Sequence, residues 1–319
     1  MRHLHWKYLI PTVAIVSLLP LVAREYTLHV AIMAFYYVIM ASSWNVLTGY
    51  AGQMSFAQAA FSTFAGYVST LLALKMAVPP ALGISIAAVA TCALGFLLGI
   101  VCIKTKGIYH ALTTIAFAQI FRITINIEYK ITRGSLGLSS IPLFGSTLSK
   151  VPYFYAALAL ALLTLLVLDR VLASPIGLVF RAIKDDQVAS TSIGINVVKY
   201  RQVAFVITSL FAGVAGAFLA HYTMIVSPES ATIAQMALII AMAVSGGMGT
   251  FFGPVAGAVG LQFLAEYLRE FGQMHLVLLG LIMLLVVRFV PEGIAPMLSR
   301  KARDLGVFVK LRATGSRVS

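Results

Sequence analysis

The chain has 319 residues, 60% of them hydrophobic and 10% charged, with a mean hydropathy of +0.96 and a net charge of +13. Soluble domains carry about 25% charged residues, and no soluble fold of this size buries so much apolar surface, so the chain reads as a polytopic membrane protein. Continuous apolar runs such as 156–168 argue against a β-barrel, whose segments alternate over about 10 residues, and the basic residues sit where membrane topology places them, not where nucleic acid would need them.

A membrane-crossing helix needs about 20 apolar residues. In chain order the apolar runs predict ten spans: 8–23, 27–48, 53–74, 80–103, 107–127, 152–170, 203–222, 232–250, 253–271 and 274–290. Arg2 and Lys7 ahead of residues 8–23 resemble a signal peptide, but Leu21-Val22-Ala23 fits poorly to an A-x-A-like cleavage site. The run is read as an uncleaved first span. With both termini in the cytoplasm, Lys104 and Lys106, the loop at 171–202 and the tail fall inside. The 24–26 turn and the loops at 128–151, 223–231 and 270–274 then fall outside. The chain thus divides into a cytoplasmic end with the first span (1–30), a permease domain (31–298) and a basic cytoplasmic tail (299–319), which also suits anionic lipid headgroups.

Two stretches interrupt the apolar pattern. Gly49-Tyr50-Ala51-Gly52-Gln53, followed by Ser55, is one. Ser245-Gly246-Gly247-Met248-Gly249-Thr250, with Gly253-Pro254, is the other. Irregular backbone at membrane depth must be buried in protein or line a cavity, and glycine-interrupted segments in both halves point to a translocation path. They also fit plain turns between neighbouring helices. Gly95 and Gly99, Gly213 with Gly216 and Ala217, and Gly253 with Gly257 allow close helix packing. Cys92 and Cys102 share one predicted helix about 15 Å apart, too far for a disulfide.

The chain carries no phosphate-binding loop, no H-E-x-x-H pair and no nucleophile elbow. Its ten acidic residues all lie at or near predicted span ends, whereas an ion-driven carrier places a carboxylate deep in the membrane. Arg122 lies inside the 107–127 span. It either snorkels to the outer interface or meets an anionic group of a substrate. Asn45, Gln53, Ser55, Gln58, Thr113, Thr114, Gln119 and Asn126 are polar but neutral. Thr113, Thr114 and Gln119 can line a hydrogen-bonding path or bond between helices. A pore body with no energy source implies a partner or passive flow.

Residues 174–201 are the charged exception, with Arg181, Lys184, Asp185, Asp186, Lys199 and Arg201 between apolar runs. Pro175 can start a helix, 182–192 can continue it, and Gly194 can end it. Charges of both signs suit a protein groove better than a lipid surface, so the loop is read as a docking element for a cytoplasmic partner.

The segment SPIGLVFRAIKDDQVASTSIGIN resembles the cytoplasmic loop of the branched-chain amino acid ABC transporter permeases. The likeness rests on Ser174, Pro175, Gly177, Arg181, Ala182, Ile183, Gly194, Ile195 and Asn196. SWNVLTGYAGQMSFAQAAF (43–61), ALTTIAFAQIFRI with TRGSLGLSSIP (111–142), AFVITSLFAGVAGAF and SGGMGTFFGPVAGA are similar to further segments of the family, closest to the LivM type. The order and spacing of these stretches over 35–290 make the resemblance specific. It implies a subunit that forms the translocation path and carries no cofactor of its own. ATP and Mg²⁺ are expected in two cytoplasmic ATPases that grip the permease loops. The other implied partners are a homologous permease and an extracytoplasmic substrate-binding protein.

 

The resemblance implies a heterodimer with that homologous permease, set in the lipid bilayer and without nucleic acid. The ATPase-coupling residues it points to are Arg181, Ala182, Lys184, Asp185, Asp186, Ala189, Ser190 and Gly194. The residues expected beside the path are Asn45, Gly49, Gly52, Gln53, Ser55, Thr113, Thr114, Gln119, Gly246, Gly247 and Gly249. One departure stands out. Permease loops of this kind carry Glu-Ala-Ala and a glycine after three further residues, and here those positions read Val188, Ala189, Ser190 and Gly194. Related permeases carry urea or short amides, so the cargo is leucine, isoleucine and valine or one of these. A self-sufficient carrier and a passive channel are the rival classes.

Overall fold

The computed structural model describes residues 13–105, 107–145, 149–272, 274–289, 293 and 297. The tail at 299–319 and most of the expected first span lie outside the described residues. The remainder of that span, 13–22, is helical with one turn at Leu18.

The principal helices are α1 (Glu25–Asn45), α2 (Gln58–Met76), α3 (Pro80–Val101), α4 (Ile108–Ile127) and α5 (Val151–Ala173). They are followed by α6 (Pro175–Asp185), α7 (Gln187–Ser192), α8 (Val197–Thr223), α9 (Ile233–Gly247), α10 (Gly253–Leu268) and α11 (Met274–Phe289). Among the described residues, six helical stretches are long and apolar enough to cross a membrane: those built on α1 to α5 and on α8. At 15, 16 and 16 residues, α9, α10 and α11 are shorter than the expected spans.

Helix α1 is the centre of the molecule. Of its most apolar window 89% is buried, against 28% for α4, because α5, α8, α9 and α10 all pack on it. Its largest fully buried side chains include Trp44, Ile39 and Met40. The second contact system joins α8 to α2 and α3. Glycine makes it possible: a Cβ on Gly216 would strike the Ser62 backbone, and one on Gly213 would lie 2.9 Å from the Thr91 Cβ. Helix α4 is peripheral and exposes Leu112, Ile120 and Ile123, which is how a helix facing lipid or another subunit presents itself.

Two ends of the bundle can be told apart by their contacts. At one end Arg122 pairs with Glu229, Lys150 approaches the Glu25 carbonyl, and Leu138–Ser139 (β1) pairs antiparallel with Ile225–Val226 (β2). At the other, Lys184 reaches Gly49, and Arg201 bonds the Thr105 carbonyl. This division agrees with the alternation of loops expected from the basic residues.

The structure corrects two local expectations. The span expected at 53–74 starts late, because residues 52–57 are not helical and α2 begins at Gln58. The single helix expected from Pro175 to Gly194 is two helices. Asp186 adopts an extended conformation (φ −152°, ψ 111°) and its carboxylate accepts from the amides of Val188 and Ala189 at 2.8 and 3.0 Å. An aspartate in that conformation ends one helix and caps the next.

Candidate functional site

The two glycine-rich interruptions meet. Helix α1 runs into a π-helical turn at Val46–Tyr50, which leads into the non-helical stretch 52–57. Helix α9 ends at Gly247, and the chain turns through Met248–Phe252 before α10. Asn45 ties the two together: its Oδ1 accepts from Gly249 N at 2.8 Å, and its Nδ2 donates to Thr250 O at 2.9 Å. Only a glycine fits at position 49. A Cβ there would overlap Asn45 Oδ1 and lie 2.8 Å from Gly249 N. Gly249 sits at φ +79°, the left-handed region that glycine enters without steric cost. Thr250 Oγ1 closes the turn by donating to Gly247 O at 2.7 Å and accepting from Gly253 N at 3.1 Å. Beyond it, Gly246 and Gly257 bring the backbones of α9 and α10 into direct contact, since a Cβ on either would strike the facing helix.

The stretch after the π turn climbs back beside α1. Trp44 Nε1 donates to Ser55 O at 2.7 Å, and Gln58 Nε2 donates to Ser43 Oγ at 2.7 Å. The start of α2 therefore lies level with Met40–Trp44, above the junction. Buried polar backbone is thereby satisfied by side chains of α1, as membrane depth demands. Gln53 is the exception. It is buried, and neither end of its side-chain amide has a hydrogen-bond partner among the described residues.

The charged loop closes the junction from one end. Helix α6 is capped by Ser174, whose Oγ accepts from Ile176 N at 3.2 Å, and buries Phe180 and Ile183. Its outer side places Lys184 Nζ 2.7 Å from Gly49 O and the Arg181 guanidinium 5.4 Å from the centre of the Tyr50 ring. Asp185, Asp186 and Ala189 are exposed, Ala182 is half-buried, and Ser190 is buried with its hydroxyl on Asp186 O. Gly194, at φ +84°, ends α7 with open space around it. Val188, at the position of the signature glutamate, is 72% exposed.

The other expected residues divide. Thr114 joins the site, since its Oγ accepts from Phe56 N at 3.0 Å. Gln119 lines a gap of about 10 Å³ with Phe56, Ala231 and Met236. Thr113 is turned away and bonds the Tyr109 carbonyl of its own helix. Arg122 is paired with Glu229 at 3.0 Å. Glu266 holds Arg269 at 3.1 Å and accepts from the Tyr26 hydroxyl.

Two polar clusters were not anticipated. His221 bonds Ser69 Oγ at 2.7 Å and Ile141 O at 2.6 Å, fastening the 134–142 loop to α2 and α8. Arg201, His110 and Thr105 gather at the opposite end. A lone histidine inside an apolar run was the available signal for each.

The model of a family described as branched-chain amino acid transport system, permease component, matches residues 26–287. The chain belongs to this family. It is similar to the high-affinity branched-chain amino acid transport system permease protein LivM of Salmonella typhimurium and to that of Escherichia coli. Each is 31% identical over 305 residues, covering 87% of this chain and 72% of the relative. No solved structure matches the chain. The permease is a multi-pass protein of the bacterial inner membrane, and the matched region takes in the junction, the charged loop and every helix from α1 to α10.

Proposed function

We propose that the permease forms the translocation path of a high-affinity importer of leucine, isoleucine and valine. It pairs with a homologous permease, receives substrate from an extracytoplasmic binding protein, and is driven by two cytoplasmic ATPases that bind ATP and Mg²⁺. The loop 174–196 docks those ATPases through Arg181, the exposed face of α7 and the turn at Gly194. Ten spans, with both termini in the cytoplasm, place this loop and the basic tail on the ATPase side.

One observation carries the reading: in a chain of this family, the charged loop packs directly on the first broken segment, which Asn45 bridges to the second. Force applied to the loop therefore reaches irregular backbone, where helices can move relative to one another at least cost. The test is uptake by proteoliposomes holding this permease, its partner permease and the ATPases, with the binding protein outside. Leucine uptake should require internal ATP and the ATPases, and isoleucine and valine should compete where urea and acetamide do not. Uptake by this chain alone under an ion gradient would sink the proposal, and uptake of urea in place of leucine would correct the cargo.

A further inference from the structure

The charged loop hydrogen-bonds the junction through the ammonium group of Lys184. Lys184 Nζ lies 2.7 Å from the Gly49 carbonyl oxygen. A Cβ on Gly249 would be 3.4 Å from that oxygen and 3.6 Å from Lys184 Nζ. The ammonium therefore sits where the two broken segments touch. The backbone of Lys184 also covers Gly52, whose φ is +70° and whose Cβ would lie 3.2 Å from Lys184 Cα. Three residues earlier, on the same face of α6, Arg181 stands over Tyr50. Glycines at 49 and 249 offer no side chains of their own to hold the segments together; Asn45 bridges them, and Lys184 fixes the Gly49 carbonyl beside that bridge.

We propose that Lys184 is a positioning residue that latches the junction shut, and that displacement of the loop withdraws its ammonium and lets the segments part. The inference rests on the reading of the loop as the ATPase dock. A lysine is a compact charge on a flexible stem, and its bond to a carbonyl is charge-assisted and short. A shift of about 1 Å takes such a bond out of range, so a small movement of α6 becomes a discrete release. The Asn45 bridge, which includes no residue of the charged loop, is left to re-form the contact when the loop returns.

The test uses the full chain with Cys92 and Cys102 replaced by alanine and Ser245→Cys as reporter. Ser245 is buried in the last turn of α9. Inside-out vesicles are treated with a membrane-impermeant maleimide. Lys184→Met should raise the labelling rate about tenfold or more, the factor for losing one charge-assisted bond. Lys199→Met, in the same loop but outside the junction, should leave it unchanged. In the assembled importer Lys184→Met should lower leucine uptake per ATP hydrolysed. Unchanged labelling in Lys184→Met, or an equal rise in Lys199→Met, overturns the latch. The labelling needs no ATPase, so it judges the latch even if the ATPases fail to bind the parent chain, a result that would instead remove the docking reading.

Discussion

At the scale of single residues, the junction depends on what is missing from Gly49. Any side chain there displaces Asn45 Oδ1 and leaves the Gly249 amide without its acceptor. A buried donor left unsatisfied costs about 1–3 kcal/mol. Gly49→Ala should therefore lower the thermal midpoint of the detergent-solubilised protein by several degrees. Asn45→Ala should do the same, and the double variant should cost clearly less than the sum, because both remove one bridge. Additive losses would show that the two residues do not act through a shared contact. The glycines and Asn45 were legible in the sequence as polar and flexible residues in an apolar field. Their pairing was not, because Asn45 and Gly249 lie 204 positions apart and no local pattern encodes such a contact.

At the scale of elements, the charged loop behaves as two short helices hinged at Asp186. Neither is long enough to be stable alone; α6 is held by Phe180 and Ile183, and α7 by its caps. Loss of an N-cap costs about 1 kcal/mol. Asp186→Ala should thus speed amide exchange across 188–192 about fivefold, with exchange in α6 little changed, while Asp186→Asn should retain most of the protection. Equal exchange in all three proteins would show that the cap does not hold α7. The hinge was open to sequence reasoning, since aspartate favours caps over helix interiors, yet no glycine or proline breaks 178–193 to mark it. The late start of α2 has a different origin. Residues 53–57 are no less apolar than a helix end, and it is bonding to Trp44 and Thr114 that draws them out of helical form.

At the scale of the whole molecule, the contacts sort the loops into two ends, and the proposed topology assigns each end to one side of the membrane. Ser192→Cys, beside Gly194, should react with an impermeant reagent only from the cytoplasm. Ser230→Cys, beside Glu229, should react only from outside. Labelling of both from one side would refute the ten-span arrangement. By itself the sequence determined that the chain spans a membrane many times, where many of its helices lie, that its charged loop stands apart, and which family it belongs to. Those properties follow from hydrophobic length, charge placement and ordered motifs, all readable along the chain. Only the tertiary structure decided that the two broken segments form one junction, that Lys184 bonds to it, and that Thr113 and Thr114 part company. Such contacts depend on how α1, α6, α9 and α10 are set against one another, and packing at that scale is a property of the assembled bundle.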